Sequence, residues 1–155
     1  MKKILLGSIL ILLLAADSHG LPTLQVEDGH RVKLSPGIKS TVQHEGVHRE
    51  YYDNGNIKSE LGYKNNQLDG RCRLYYKNGN LKRQVHYERG VVEGKAFEFY
   101  ENGQYKIEGN YKNGIVDHVN KVYYDNGNLY SFMVYNKGQL IEHITLDING
   151  RTIVE

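Results

Sequence analysis

The stretch YYDNGNL at residues 123–129 decides the reading of this chain, because near-copies stand at Tyr51 (YYDNGNI), Tyr75 (YYKNGNL) and, more loosely, Phe99 (FYENGQY). Their Asn-Gly pairs, Asn54/Gly55, Asn78/Gly79, Asn102/Gly103 and Asn126/Gly127, recur every 24 residues. A fixed period of that length marks a tandem array of one supersecondary unit. Asparagine tolerates positive φ and glycine adopts it without steric cost, so each pair predicts a two-residue hairpin turn with positive φ at both central positions. Each copy tells the chain to reverse.

Two further turn series share the period. Asn65-Asn66, Arg89-Gly90, Asn113-Gly114 and Lys137-Gly138 lie midway between the copies, and Glu45-Gly46, Asp69-Gly70, Glu93-Gly94 and Asp117-His118 precede each aromatic pair. Each period therefore holds two extended runs, a spacing too short for ordinary helices. Alternate residues after the turns read Ile57, Ser59, Leu61, Tyr63; Leu81, Arg83, Val85, Tyr87; Tyr105, Ile107, Gly109, Tyr111; and Leu129, Ser131, Met133, Tyr135. The intervening positions carry Lys58, Glu60 and Gly62 and their equivalents Lys82, Gln84, His86, Lys106, Glu108 and Asn110. Period-two alternation with one wet face describes half-buried antiparallel strands. The expected fold is all-β: an elongated, twisted antiparallel meander of tandem 24-residue β-hairpin repeats, forming one open, solenoid-like sheet. One hairpin is marginal in water, so neighbouring units must shelter one another.

The repeats span 46–141. Segments 21–45 and 142–155 depart from the pattern and read as an N-terminal leader or cap and a degenerate C-terminal repeat or cap. Residues 1–20 open with Lys2 and Lys3, continue through an apolar run from Ile4 to Ala16 and end in small or polar residues, the pattern of an export signal peptide. That run falls short of the roughly 20 apolar residues that a membrane-spanning helix requires. The reading implies a periplasmic or secreted protein.

The pattern G-x-x-x-x-Y-Y-x-N-G-x-L-K-x-E-x-x-Y-x-x-G-x-x-E/D, carried from Gly46 to about Ile141, resembles the bacterial variant of the MORN repeat. The fourth copy departs from it, with His118 where glycine is usual and Tyr130-Ser131-Phe132 in place of Lys-x-Glu. The resemblance implies a sheet of hairpins without catalytic residues. It also implies a binding role, as an antitoxin component in many bacterial members and as a protein scaffold or phospholipid-contacting module elsewhere.

The formal net charge is +2, and loss of Lys2, Lys3 and Asp17 with residues 1–20 leaves 18 basic against 17 acidic residues. Near-neutrality does not suit a general nucleic-acid binder. The single cysteine, Cys72, excludes an internal disulfide and reads as a small apolar strand residue. His44 and His48, four apart in an extended chain, fall about 13 Å from one another, too far to share a metal ion. No nucleophile elbow or phosphate-cradling loop occurs. The sequence therefore predicts a non-enzymatic protein without cofactor or metal.

Candidate contacts for a protein partner, such as a toxin, are Tyr51, Tyr75 and Tyr123, since tyrosine is favoured at interfaces. To these the fourth repeat adds Tyr130, Phe132 and Val134, which put apolar residues on a face that is polar in earlier copies. Either the C-terminal tail folds over that patch or a partner covers it. The second repeat concentrates basic charge, so Arg71, Arg73, Lys82 and Arg83 form a candidate patch for an acidic partner or, alternatively, a membrane surface.

Overall fold

Turn geometry explains how the repeat folds, and it differs from the two-residue turn that Asn-Gly suggests. The computed structural model describes residues 24–25, 33–34 and 44–153. At the first YYDNGN copy, the Tyr52 N–H donates to the Asn56 carbonyl (2.8 Å) and the Gly55 N–H to the Tyr52 carbonyl (2.9 Å). The loop therefore holds three residues, and only its glycine has positive φ, at 85°, 92°, 87° and 87° in the four copies. The asparagine acts through its side chain instead, where Oδ1 accepts the backbone N–H two residues on, at 3.2, 2.9, 3.0 and 2.9 Å. Positive φ at both central positions belongs to the midway series, Asn65-Asn66 (51°, 64°), Arg89-Gly90 (49°, 78°), Asn113-Gly114 (52°, 75°) and Lys137-Gly138 (49°, 86°). Those are the tight turns whose twist matches the flanking strands.

The chain divides into two compact units, 1–41 and 42–155. In the first, β1 (Leu24–Gln25) pairs antiparallel with β2 (Lys33–Leu34). The export-signal reading at 1–20 lies outside the described residues, as does most of the leader. In the second unit, the elements are β3 (Gly46–Tyr51), β4 (Ile57–Lys64), β5 (Gln67–Leu68), β6 (Gly70–Tyr75), β7 (Leu81–Glu88), β8 (Val91–Phe99), β9 (Tyr105–Lys112), β10 (Ile115–Val116), β11 (His118–Tyr123), β12 (Leu129–Asn136) and β13 (Gln139–Thr145). They form one open antiparallel sheet of eleven strands in the order β13-β12-β11-β9-β8-β7-β6-β4-β3, with β5 added to β4 and β10 to β9. The all-β meander of tandem hairpins read from the sequence is the fold.

Strict alternation fails at an equivalent point in every repeat. Glu50 faces Ser59 and Tyr51 faces Ile57, leaving Lys58 as an extra residue; Lys82, Lys106 and Tyr130 are extra in the same way. Such a β-bulge resets the alternation. Ile57, Leu81, Tyr105 and Leu129 therefore lie on the opposite face from the Ser59, Leu61 and Tyr63 series with which period-two reading groups them. Contacts agree: Lys58 reaches Glu50 (3.6 Å) and Lys106 reaches Glu98 (2.9 Å), both on the face of Ser59, while Tyr105 packs on Phe97 (5.8 Å) on the other.

Among the described residues, the buried apolar side chains lie on the Ser59 face, here the inner face: Leu68, Cys72, Val85, Tyr87, Val92, Ala96 and Met133. Tyrosines of the strands themselves lie over short neighbours. A Cβ added to Gly109 would meet the Tyr111 ring at 3.0 Å and Asn120 Oδ1 at 2.9 Å, so Gly109 makes room for both.

Hydrogen bonds tie repeat to repeat at both ends of the strands. At one end the second tyrosine of each pair donates to the carbonyl of the next unit's first residue: Tyr52 to Tyr75, Tyr76 to Phe99, Tyr100 to Tyr123 and Tyr124 to Leu146, at 2.7, 2.7, 2.8 and 3.0 Å. At the other end, carboxylates of the third turn series accept a tight-turn N–H: Glu45 from Asn65, Asp69 from Arg89, Glu93 from Asn113 and Asp117 from Lys137, at 2.9, 3.1, 2.7 and 3.0 Å. After β13 the same loop returns at Asp147–Gly150, and Leu146 bridges Thr152. The tail therefore prolongs the sheet as a short fifth hairpin and does not fold over the fourth repeat.

Removing one hydroxyl from the tyrosine ladder leaves a carbonyl without its partner. Tyr76→Phe is expected to lower stability by about 1–2 kcal/mol, read as a shift of the urea midpoint at unchanged m. Tyr51→Phe, whose ring is exposed and outside the ladder, is expected to leave the midpoint in place.

Candidate binding face

The bulges give the outer face a regular grid of side chains. Nearest the three-residue loops runs an aromatic and aliphatic row of Tyr51, Ile57, Tyr75, Leu81, Phe99, Tyr105, Tyr123 and Leu129. Beside it runs a row of Arg49, Glu60, Arg73, Gln84, Phe97, Glu108, Lys121 and Phe132. Phe97, Phe99, Tyr105 and Tyr123 touch in sequence, with ring centroids 6.4 Å (Phe97–Phe99), 4.9 Å (Phe99–Tyr105) and 6.1 Å (Tyr105–Tyr123) apart. Offset aromatic contacts at these distances add about 0.5–1.5 kcal/mol each beyond area burial. Tyr51 is 59% exposed and Tyr105 42%.

Carboxylates of the second row hold the tyrosines. Tyr75 Oη donates to Glu60 (2.7 Å), which also meets Arg49 (2.8 Å) and Arg73 (3.4 Å). Tyr123 Oη donates to Glu108 (2.7 Å), with Lys121 at 4.0 Å. The Tyr75 bond, followed by that from Arg49, holds the Glu60 carboxyl below its usual range. Burial, then the Glu108 bond, pushes the Tyr123 hydroxyl up. Both acids serve to orient neighbours.

Of the sequence-derived contacts, Tyr51, Tyr75 and Tyr123 share this outer row. Tyr130 does not join Phe132 and Val134: as the bulge residue it turns to the inner face and packs edge-on against Tyr124 at 5.1 Å. Phe132 and Val134 stay outside, opposite Ile144 and Glu142 of β13. The basic patch also separates. Arg71 and Arg73 are on the outer face, whereas Arg83 is inside, paired with the buried Glu98 at 3.2 Å, and Lys82 stands over the Tyr76 ring at 5.7 Å. Phe97, Phe99 and Tyr105, which complete the stripe, escape sequence reading because alternation carried through the bulge misplaces the face of Tyr105. Their signal is the aromatic run FEFYENGQY at 97–105.

His44 and His48 correct another expectation. Gly46, with φ of 78°, bends the chain between them, so the rings lie 4.9 Å apart and both pack on Tyr63. Among the described residues, no group of three or more His, Cys, Asp and Glu side chains is placed to hold a metal ion. An open depression of about 480 Å³ between the tight turns is lined by Lys64, Asp69, His86, Glu88 and Arg89 among others. Its charges are mixed and do not converge on a point.

Because Glu60 has a depressed pKa in the folded state, its contribution is present above the unfolded value, about 4.3, and is lost as pH falls through the folded one. Glu60→Gln is therefore expected to cost about 1–2 kcal/mol at pH 7, with the gap to the unaltered chain closing below about pH 4 in urea titrations. A gap unchanged with pH would assign the loss to packing.

Comparison with known proteins agrees with this architecture. No curated protein matches the chain significantly. Residues 45–65, 68–89 and 92–113 match the family described as MORN repeat variant, three consecutive units that correspond to the first three hairpin repeats. MORN repeats are in general modules that bind proteins or membrane surfaces.

Proposed function

We propose that this chain is an exported, non-enzymatic binding module whose outer face receives another protein. The observation that carries the reading is the stripe of Phe97, Phe99, Tyr105 and Tyr123, part-exposed and held in place by ring contacts and by the Tyr123–Glu108 bond. A surface ordered before association loses little conformational entropy on binding. Aromatic anchors of this type dominate interface energetics. The carboxylates that an enzyme would use are occupied in orienting tyrosines and arginines, which supports a binding role over a catalytic one. The export pattern at residues 1–20 supports a partner met in the periplasm or outside the cell. An immunity or antitoxin role against a toxin met there is the narrower form of this proposal.

A photo-reactive phenylalanine analogue installed at Tyr105 tests it in intact cells. One stoichiometric cross-linked protein is expected, and a Phe99→Ser/Tyr123→Ser background should remove it. A cross-link pattern that is diffuse and indifferent to the second change sinks the protein-binding reading. Adducts to lipid alone would move the assignment to a membrane surface.

A further inference from the structure

A third row of the outer face lies nearest the tight turns and differs in kind from the other two. It holds Val47, Gly62, Arg71, His86, Lys95, Asn110, Val119 and Val134, placed by the pairs Val47–Gly62, Arg71–His86, Lys95–Asn110 and Val119–Val134. At equivalent positions of successive repeats the chain thus has Val47, Arg71, Lys95 and Val119. The cationic positions occur in the two middle repeats alone. Arg71 and His86 face one another directly, and Lys95 follows on the next strand, with strands about 4.8 Å apart.

Several other cations of the sheet are paired, although among the described residues Lys64, Lys82 and Lys112 have no carboxylate within ion-pair distance. Arg49 and Arg73 meet Glu60, Arg83 and Lys106 meet Glu98, and Lys58 meets Glu50. Among the described residues, neither Arg71 nor Lys95 has a carboxylate within ion-pair distance, and His86 has only Glu88 of its own strand, at 4.0 Å. Ion pairing within the sheet therefore gives no reason for Arg71 and Lys95. Along β8, Lys95, Phe97 and Phe99 lie on one face at successive steps of about 6.8 Å, so the cations adjoin the aromatic stripe directly.

We propose that the outer face over β6 to β9 receives an acidic, extended segment of the partner protein, its carboxylates meeting Arg71, His86 and Lys95 and its apolar side chains lying on Phe97, Phe99 and Tyr105. This deepens the protein-binding reading and rests on it. In an extended segment alternate residues share a side, and their spacing of about 6.8 Å suits donors spread over neighbouring strands. Glu60 and Glu108, already engaged with their own tyrosines and arginines, leave the row's positive charge uncompensated. Charge complementarity therefore selects the occupant.

Fluorescence anisotropy with a fluorescein-labelled peptide of alternating glutamate and tyrosine, against its lysine-tyrosine counterpart, tests the inference on the full chain. Salt-sensitive binding of the acidic peptide alone is expected, weakened about tenfold by Arg71→Ser/Lys95→Ser and unchanged by Lys77→Ser/Lys112→Ser. Near-ultraviolet circular dichroism of the tyrosines verifies that each variant is folded. Equal binding by the Arg71→Ser/Lys95→Ser variant overturns the proposal. So does co-sedimentation with phosphatidylcholine–phosphatidylserine vesicles that depends on Arg71 and Lys95 when the peptide shows none. Absent peptide binding with the Tyr105 cross-link intact removes the acidic partner and leaves the protein-binding reading standing. A diffuse cross-link at Tyr105 overturns the protein-binding reading and the acidic segment with it, whatever the peptide does.

Discussion

The bond from the second tyrosine of each repeat to a backbone carbonyl of the next is the constraint on which the rest of the structure depends. Among the described residues the repeat sheet has no second layer to press against, and one hairpin is marginal alone. The phenol bridges that deficit by reaching across the repeat boundary, from Tyr52, Tyr76, Tyr100 and Tyr124, with nearly constant geometry. Loop asparagines add a second tie. The side-chain amides of Asn54 and Asn56 both donate to the Lys77 carbonyl, and Asn128 repeats the pattern onto Ile148. Carboxylates bind the opposite strand ends, so slippage at either end breaks hydrogen bonds. Stability of this kind sums over neighbour contacts along the array.

The bulge then decides what the ladder is for. Without the extra residue at Lys58, Lys82, Lys106 and Tyr130, the residue after the loop would sit on the inner face with the core. With it, that residue joins the first tyrosine on the outer face, while alternation along the first strand keeps the second tyrosine inside for the ladder. The two letters of each YY thus have separate destinations, one structural and one displayed. This division explains why Phe99 can replace tyrosine in the third repeat while Tyr100, whose hydroxyl is needed, remains.

The fold is legible in the sequence because the period, the turn residues and the alternation all agree on hairpins. Register is less legible. Asn-Gly is the strongest short-range signal for a two-residue turn, yet here asparagine is engaged through its side chain and only the glycine needs positive φ. Arg89 and Lys137, which carry no turn signature, take the left-handed position because the glycine after each completes the tight turn. The bulge leaves no mark in the alternation itself, so reading by period two groups Tyr130 with Phe132, and Leu81 and Tyr105 with the inner series, although each lies on the other face. His118 is readable as a departure from glycine, and it occupies the same left-handed conformation at φ of 59°. Histidine accepts that region more readily than most side chains.

A ladder built from fixed positions leaves the third outer row free to vary without cost to the fold. Val47, Arg71, Lys95 and Val119 occupy one structural position, and none takes part in the tyrosine ladder or the turn bonds. Gly62 is the exception in the facing column, since a Cβ there would collide with the Asp69 carbonyl. His86, Asn110 and Val134 at the equivalent positions show that the collision is local to the first repeat. Residue choice in this row therefore reports on what the surface meets more than on how the sheet holds together. That choice concentrates unpaired cations beside the aromatic stripe at the middle of the array, where a bound segment can reach both.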